Sequence, residues 1–319
     1  MTLKPSRVPK SIGLSALRGS AVVLVGSEPL IDVGGGARHM IASVSKQFVA
    51  ASMLVAQGDG LLDVGDSVCY HVPELGAAYD DVSLHHLLSH TSGVRHWTRD
   101  VPGLWISEAG TAVDRIGVLA QTPLLAPPGR EWHYSSVGYS LLVAVIERAT
   151  GSSYADFVRE RLTEPADLTD TTVGPPRAGA RLATGHRNGA AVPAAELAST
   201  AGTGYVWSTA RDLARWTHSL HRGLLPVELH ALLVYPHVDL PPSDPQALAP
   251  AYGYGLFIGT IAGRRAWFHP GDNPGFCAFT AFLPDLDISL GLVSAEETTD
   301  VADLAERLVV FAAASTVAS

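Results

Sequence analysis

Ile41-Ala-Ser43-Val-Ser-Lys46-Gln-Phe-Val-Ala-Ala-Ser-Met-Leu-Val-Ala-Gln-Gly58 is the stretch around which the chain is organised. It reads as a helix that begins near Ser43 and stops at Gly58, with apolar residues on nearly every face, the pattern of a helix buried in a core. Lys46 stands in its first turn, and no other charged residue lies between Arg38 and Asp59. An unpaired ammonium in an apolar site is costly, and its pKa falls. Ser43 lies three residues earlier, on the same helical face. A hydroxyl beside an amine that can be neutral is a nucleophile beside a base.

The 319 residues suffice for two modest domains, or for one large domain with an insertion. Hydrophobic residues make up 47% and charged residues 17%, which supports a sizeable core and argues against disorder. The net charge of −9 argues against a nucleic-acid partner, which needs a basic face. Cys69 and Cys277 match no metal or Cys-x-x-Cys spacing and are expected to be reduced thiols. Lys4, Arg7 and Lys10 precede the apolar residues 12–17 in the manner of a leader. Arg18 and Gly19 break that run, and Ala21–Val25 then reads as a strand of the fold itself, so no leader is expected. No stretch is long and apolar enough to span a bilayer. The expectation is a cytoplasmic protein with no membrane partner, and the sequence sets no oligomeric state.

Outward from the central helix, residues 20–25 and 30–33 read as a hairpin across the turn 26–29. Gly34-Gly-Gly36 has neither the following Lys-Ser/Thr nor the helix of a phosphate loop. Residues 84–93 read as a short helix capped by Ser83, and His85, His86, His90 and His96 crowd there. His86 and His90 stand four apart, but no acidic third ligand stands at helical spacing. Capping and packing roles are expected for these histidines, and no metal or other cofactor. Residues 112–121, 137–149 and 154–162 read as helices, the last capped by Ser152 or Ser153. Residues 173–193 and 236–250 read as loops. Thr209 with Asp212 resembles a capping box, opening an amphipathic helix that runs to Leu220. Residues 252–260, 264–268, 276–283 and 288–293 are strand-like, and 299–315 form a closing helix. Strands at both ends and helices between them imply an α+β fold with one antiparallel sheet flanked by helices. In that arrangement residues 1–64 and 202–319 form an α/β domain and 65–201 an inserted, mostly helical domain.

Ser43-x-x-Lys46 alone is a weak motif, whose plain alternative is a capping serine and an exposed lysine. Two later stretches raise it: Trp132-His-Tyr134-Ser-Ser136-Val-Gly-Tyr139, and Trp267-Phe-His269-Pro-Gly271-Asp-Asn-Pro-Gly275-Phe276. With these in order, the chain resembles the serine β-lactamase and penicillin-binding-protein superfamily. The branch it looks most like holds the class C β-lactamases, D-alanyl-D-alanine carboxypeptidases and related esterases. Leu87-Leu-Ser-His-Thr-Ser-Gly93 and Ser208-Thr-Ala-Arg-Asp-Leu213 are typical of that branch, whose fold is a helical domain inserted into an α/β domain. The resemblance implies that Ser43 is the acylated nucleophile, Lys46 its neighbouring base or proton relay, and Tyr134 a second base-and-acid candidate. A phenol near cationic or hydrogen-bonding groups can have a lowered pKa, so Lys46 and Tyr134 are expected to titrate together. His269 and Gly271 match the third motif, on a strand edging the site, where the glycine lets the substrate backbone approach. The backbone N–H groups of Ser43 and Asp272 are the expected oxyanion donors, with the helix N-terminus adding partial positive charge.

One departure bears on substrate. The second motif usually reads Tyr-x-Asn, whose amide contacts the lysine and the acylamino group of the substrate; here it is Tyr134-Ser-Ser136. A serine cannot offer the same donor–acceptor pair, and its plain alternative is an ordinary helix cap. His269 in place of lysine removes a fixed positive charge and is at most partly charged near neutral pH. Both changes shift weight from β-lactams and peptides to simple esters. The leading expectation is a serine hydrolase acting through an acyl-enzyme at Ser43 on a small-molecule acyl substrate, an esterase. Acyl transfer to another nucleophile, amidase or β-lactamase-type hydrolysis, and a non-catalytic ligand-binding role stay open at this point.

Overall fold

The structure, a computed structural model, describes residues 12–97, 112–174, 179–193 and 203–317. The basic N-terminal stretch weighed above as a leader lies outside the described residues up to position 11. β1 (Gly19–Val25) and β2 (Glu28–Val33) form the expected hairpin. β3 (His39–Met40) leads through a tight turn at Ala42–Val44 into α1 (Ser45–Gly58). The helical middle comprises α2 (Val68–His71), α3 (Leu84–Leu88), α4 (Ala112–Leu119), α5 (Ser136–Thr150) and α6 (Tyr154–Val158). Ser83 caps α3 and Ser153 caps α6, each accepting a backbone N–H of the first turn. Past α6 the chain widens into a π-type turn at Arg159–Thr163 instead of continuing as a regular helix.

The stretches read as loops contain short ladders. β4 (Thr172–Val173) pairs with β7 (Val206–Ser208), which also pairs with β3. β5 (His186–Arg187) and β6 (Ala190–Ala191) make a small hairpin. Thr209 caps α7 (Ala210–His221) through the N–H of Asp212, as its sequence implies. α8 (Val227–Val234) follows, an element that the sequence reading did not anticipate. Next come β8 (Val238–Asp239) and β9 (Ala251–Tyr252). The expected single strand over 252–260 is broken: a turn closed by the Gly253 N–H on the Leu256 carbonyl separates β9 from β10 (Phe257–Ile261). β11 (Arg264–Asn273), β12 (Phe276–Leu283), β13 (Ile288–Ser294) and α9 (Val301–Val317) complete the chain.

Eight strands form one antiparallel sheet in the order β2-β1-β13-β12-β11-β10-β9-β8. Alternation along β1 decides what covers each face. Val22 and Leu24 pack into the core that contains α1, α5 and α7, while Ala21 and Val23 pack into the core under α9. The sheet is thus sandwiched, and α1 lies in the larger core with Phe48 to Leu54 at 0% exposure. β11 runs five residues further than the sequence implied. Its pairing with β10 ends at Phe268, so His269–Asn273 has a strand neighbour on the β12 side alone. Pro270, which cannot donate to a ladder, is accommodated at such an edge.

Candidate active site

The nucleophile candidate is pinned from two directions. β3 pairs with β7, and the N–H of Ile41 donates to the carbonyl of Val206 at 3.0 Å. Ala42 then takes a left-handed φ of 50°, a strained conformation for a residue with a Cβ. Ser43 follows in the short turn before α1, so its side chain stands at the head of a buried helix. Gly271 of β11 closes on this turn: a Cβ there would lie 2.3 Å from the Ile41 carbonyl oxygen and 3.1 Å from the Ala42 Cβ. The missing side chain of that glycine thus admits the nucleophile turn, a constraint the sequence did not show.

Lys46 has 0% exposure. Its Nζ lies 3.1 Å from Ser43 Oγ and 2.8 Å from Ser136 Oγ, and it stands over the rings of Tyr134 and Tyr139, 4.7 and 5.6 Å from their centroids. Among the described residues no carboxylate pairs with it. Burial lowers its pKa to about 7, so the amine is available as a proton acceptor near neutrality. Gly255, at φ 71°, brings the β9–β10 turn against the Lys46 carbonyl; a Cβ there would come within 2.7 Å.

Tyr134 behaves differently from the expectation of a lowered pKa. Enclosure pushes its phenol well above the ordinary value, and hydrogen bonds with Ser43 and Ser136 offset this in smaller measure. It is therefore a neutral donor beside a titratable amine. Ser136 corrects two expectations. The cap of α5 is Ser135, whose Oγ accepts the Gly138 N–H at 3.0 Å. Ser136, 2% exposed, turns its hydroxyl to Lys46, a contact that the shorter side chain was not expected to reproduce, and it is not among the residues lining the cavity described below.

Two of the four crowded histidines hold this motif, a role that sequence reasoning gave them in kind but not in place. The Ser135 N–H donates to His90 Nδ1 and the Ser136 N–H to His96 Nδ1, both at 3.1 Å. Each ring is fixed in the tautomer with its proton on Nε2. Burial, with Lys46 adding to it, holds both imidazoles neutral: His96 falls to about 4 and His90 well below its usual value. His86 closes a capping box with Ser83, and His85 Nδ1 lies 2.8 Å from the Tyr254 hydroxyl.

His269 is neutral too, within the expectation of at most a partial charge: burial brings its pKa to about 3. Both nitrogens are used internally. Nδ1–H donates to the Pro270 carbonyl at 2.6 Å, which leaves Nε2 to accept from the Tyr252 hydroxyl at 3.2 Å. A cavity of about 300 Å³ opens onto these groups. Its lining includes Ser43, His96, Tyr134, Phe257, His269 and Asp272. Ser43, Tyr134, His269 and Asp272, over two hundred residues apart in sequence, therefore share one space, with Lys46 and Ser136 directly behind it and Gly271 packed at its back. Among the described residues no group of three or more His, Cys, Asp or Glu could hold a metal ion, and no helix is long and apolar enough to cross a membrane.

The family model described as Beta-lactamase matches residues 15–314. Penicillin-binding protein 4* of Bacillus subtilis is 35% identical over 136 residues, 42% of this chain and 30% of that protein. Esterase EstB of Burkholderia gladioli is 34% identical over 154 residues, 41% of this chain and 37% of that protein. These matches thus span well under two thirds of either relative. A penicillin-binding protein from Bacillus halodurans has the same fold, with a TM-score of 0.78 at 22% identity over 95% of this chain and 98% of that one.

Proposed function

The chain belongs to the Beta-lactamase family, and from that membership we propose that it is a serine hydrolase, an esterase that passes a small acyl group from an alcohol to Ser43 and then to water. The observation that carries this reading is the fully buried Lys46 with its Nζ 3.1 Å from Ser43 Oγ. The esterase reading draws further support from the likeness to Esterase EstB and from a cavity whose lining, among the described residues, has no lysine or arginine to grip a substrate carboxylate.

In this reading neutral Lys46 accepts the Ser43 proton as Oγ bonds to the ester carbonyl carbon. The carbonyl oxygen takes up negative charge against the backbone N–H groups of Ser43 and Asp272, where one lost donor typically costs about 3–4 kcal/mol. Tyr134 gives its phenolic proton to the departing alkoxide as the C–O bond breaks. The Lys46 ammonium makes this good through Ser136, whose hydroxyl receives a proton from Nζ and passes its own to the phenolate. A water molecule then attacks the acyl carbon, its proton returns by the same groups, and Ser43 leaves as the hydroxyl.

Treatment with a fluorophosphonate, followed by peptide mass spectrometry, tests the assignment. Labelling of Ser43, lost together with p-nitrophenyl acetate turnover in Ser43→Ala, is expected. An unlabelled wild-type protein, or undiminished turnover in Ser43→Ala, overturns it.

A further inference from the structure

We infer that Asp272 determines specificity at this cavity, favouring substrates that carry a primary ammonium near the scissile carbonyl and disfavouring carboxylates. The inference rests on the hydrolase reading above and names the charge class of its substrate. Asp272 lies one residue past Gly271 on the β11 edge and lines the cavity together with Ser43. The residue is exposed, and among the described residues no ion pair includes it. Partial burial, and in smaller measure the Glu297 carboxylate, raise the Asp272 carboxyl above its ordinary value.

Among the described residues near this cavity, Lys46 and Arg187 have partners of their own. Lys46 lies behind Ser43, outside the lining, with its Nζ turned to Ser43 and Ser136. Arg187 Nε donates to Glu297 Oε1 at 2.5 Å, while Glu297 Oε2 accepts the Gly275 N–H at 2.8 Å. A second cavity of about 420 Å³ adjoins the first; the two share His96 and Asp272, and the Arg187–Glu297 ion pair lines the second. Of the imidazoles facing the first cavity, His96 and His269 are both neutral. Among the described residues the lining of the first cavity therefore carries one carboxylate, Asp272, and no lysine or arginine. A ligand ammonium supplies the partner that the Asp272 carboxylate lacks, and a ligand carboxylate sets a like charge beside it.

The test compares phenyl 3-aminopropanoate, phenyl butanoate and monophenyl glutarate, an ammonium, a neutral and a carboxylate acyl group of similar length. Phenol release by wild type and Asp272→Asn is followed at pH 7.5, with spontaneous hydrolysis subtracted. The readout is the ratio of kcat/KM for the ammonium ester to that for the carboxylate ester, so a general loss at this position cancels. Wild type is expected to rank ammonium, neutral, carboxylate in descending order. Asp272→Asn should lower the ammonium-to-carboxylate ratio about tenfold, since one exposed charge acts with opposite sign on the two esters. Raising wild type from 0.05 to 0.5 M NaCl should also lower the ratio by screening, and this arm needs no variant. A wild-type ratio at or below one, or a ratio unmoved by both the substitution and salt, overturns the inference while turnover leaves the hydrolase reading standing. If Ser43 takes no fluorophosphonate label and none of the three esters is hydrolysed, the hydrolase reading falls and takes this inference with it.

Discussion

Ser136 Oγ lies 2.8 Å from Lys46 Nζ, a shorter contact than the 3.1 Å between the same nitrogen and Ser43 Oγ. The hydroxyl sits at the first residue of α5, held there by the Ser135 cap and by the His96 ring that accepts its own backbone N–H. A short side chain suffices for the lysine contact because α5 and α1 pack together in the same core. In the proposed cycle this hydroxyl is the bridge between Lys46 and Tyr134. Ser136→Ala should lower kcat/KM for p-nitrophenyl acetate about tenfold, the usual worth of one hydrogen bond in a buried site, with far-UV circular dichroism unchanged. A rate within twofold of wild type would remove Ser136 from the relay.

Lys46 predicts opposite signs for activity and stability. With its pKa near 7, the amine gains base character as pH rises, so the acid limb of kcat/KM should titrate close to 7. Stability follows from proton counts. An unfolded lysine keeps its proton to about 10.5, whereas the folded one releases it above about 7, so between these values the unfolded chain binds more protons and stability rises with pH. The cost of burying this side chain is fully present below pH 7. Lys46→Met should therefore abolish turnover and raise the urea midpoint at pH 6, with the gain shrinking towards pH 10. A variant destabilised equally at both pH values would contradict the buried, uncompensated amine.

Tyr134→Phe keeps the ring packed against His90, whose centroid is 4.4 Å away, and removes the proton donor. General acid catalysis is typically worth 10²–10⁴-fold, but a leaving group that is stable as an anion needs little of it. The variant should lose roughly 10²-fold or more on an ethyl ester and clearly less on the p-nitrophenyl ester of the same acid. Equal losses on the two would assign Tyr134 to acceptance of the serine proton instead.

The course of the chain was largely legible in the sequence because its signals are local. Ser83, Ser153 and Thr209 announce their helices by capping chemistry, and β12 is bounded as its aromatic and branched run suggests. Features set by distant neighbours were not legible. β11 extends through Pro270 and Gly271 because β12 pairs with it as far as Asn273, a fact of register and not of propensity. The histidine cluster announced capping roles, but nothing in the sequence links His90 and His96 to backbone groups 45 and 40 positions away. The raised pKa of Tyr134 was not legible for a related reason: residue type gives the ordinary value, and the packing around the side chain moves it.

Gly271 ties the third motif to the first. Its Cα faces the Ile41–Ala42 peptide so closely that an added Cβ meets backbone, not a flexible side-chain end. Backbone on both sides is held by ladders, β11 by β12 and the nucleophile segment by β7, so neither yields without breaking hydrogen bonds. The strain falls on the Ala42 turn, already at a left-handed φ of 50°. The two sheets have other anchors, and a shift of several tenths of an ångström at one contact leaves most of their buried area intact. Positioning is less forgiving, because a displacement of about 1 Å can cost on the order of 10² in rate. Gly271→Ala should therefore reduce acylation of Ser43 by a fluorophosphonate by roughly 10²-fold or more, with thermal unfolding still cooperative and the midpoint lowered by only several degrees. Labelling at the wild-type rate would mean that β11 does not set the position of Ser43.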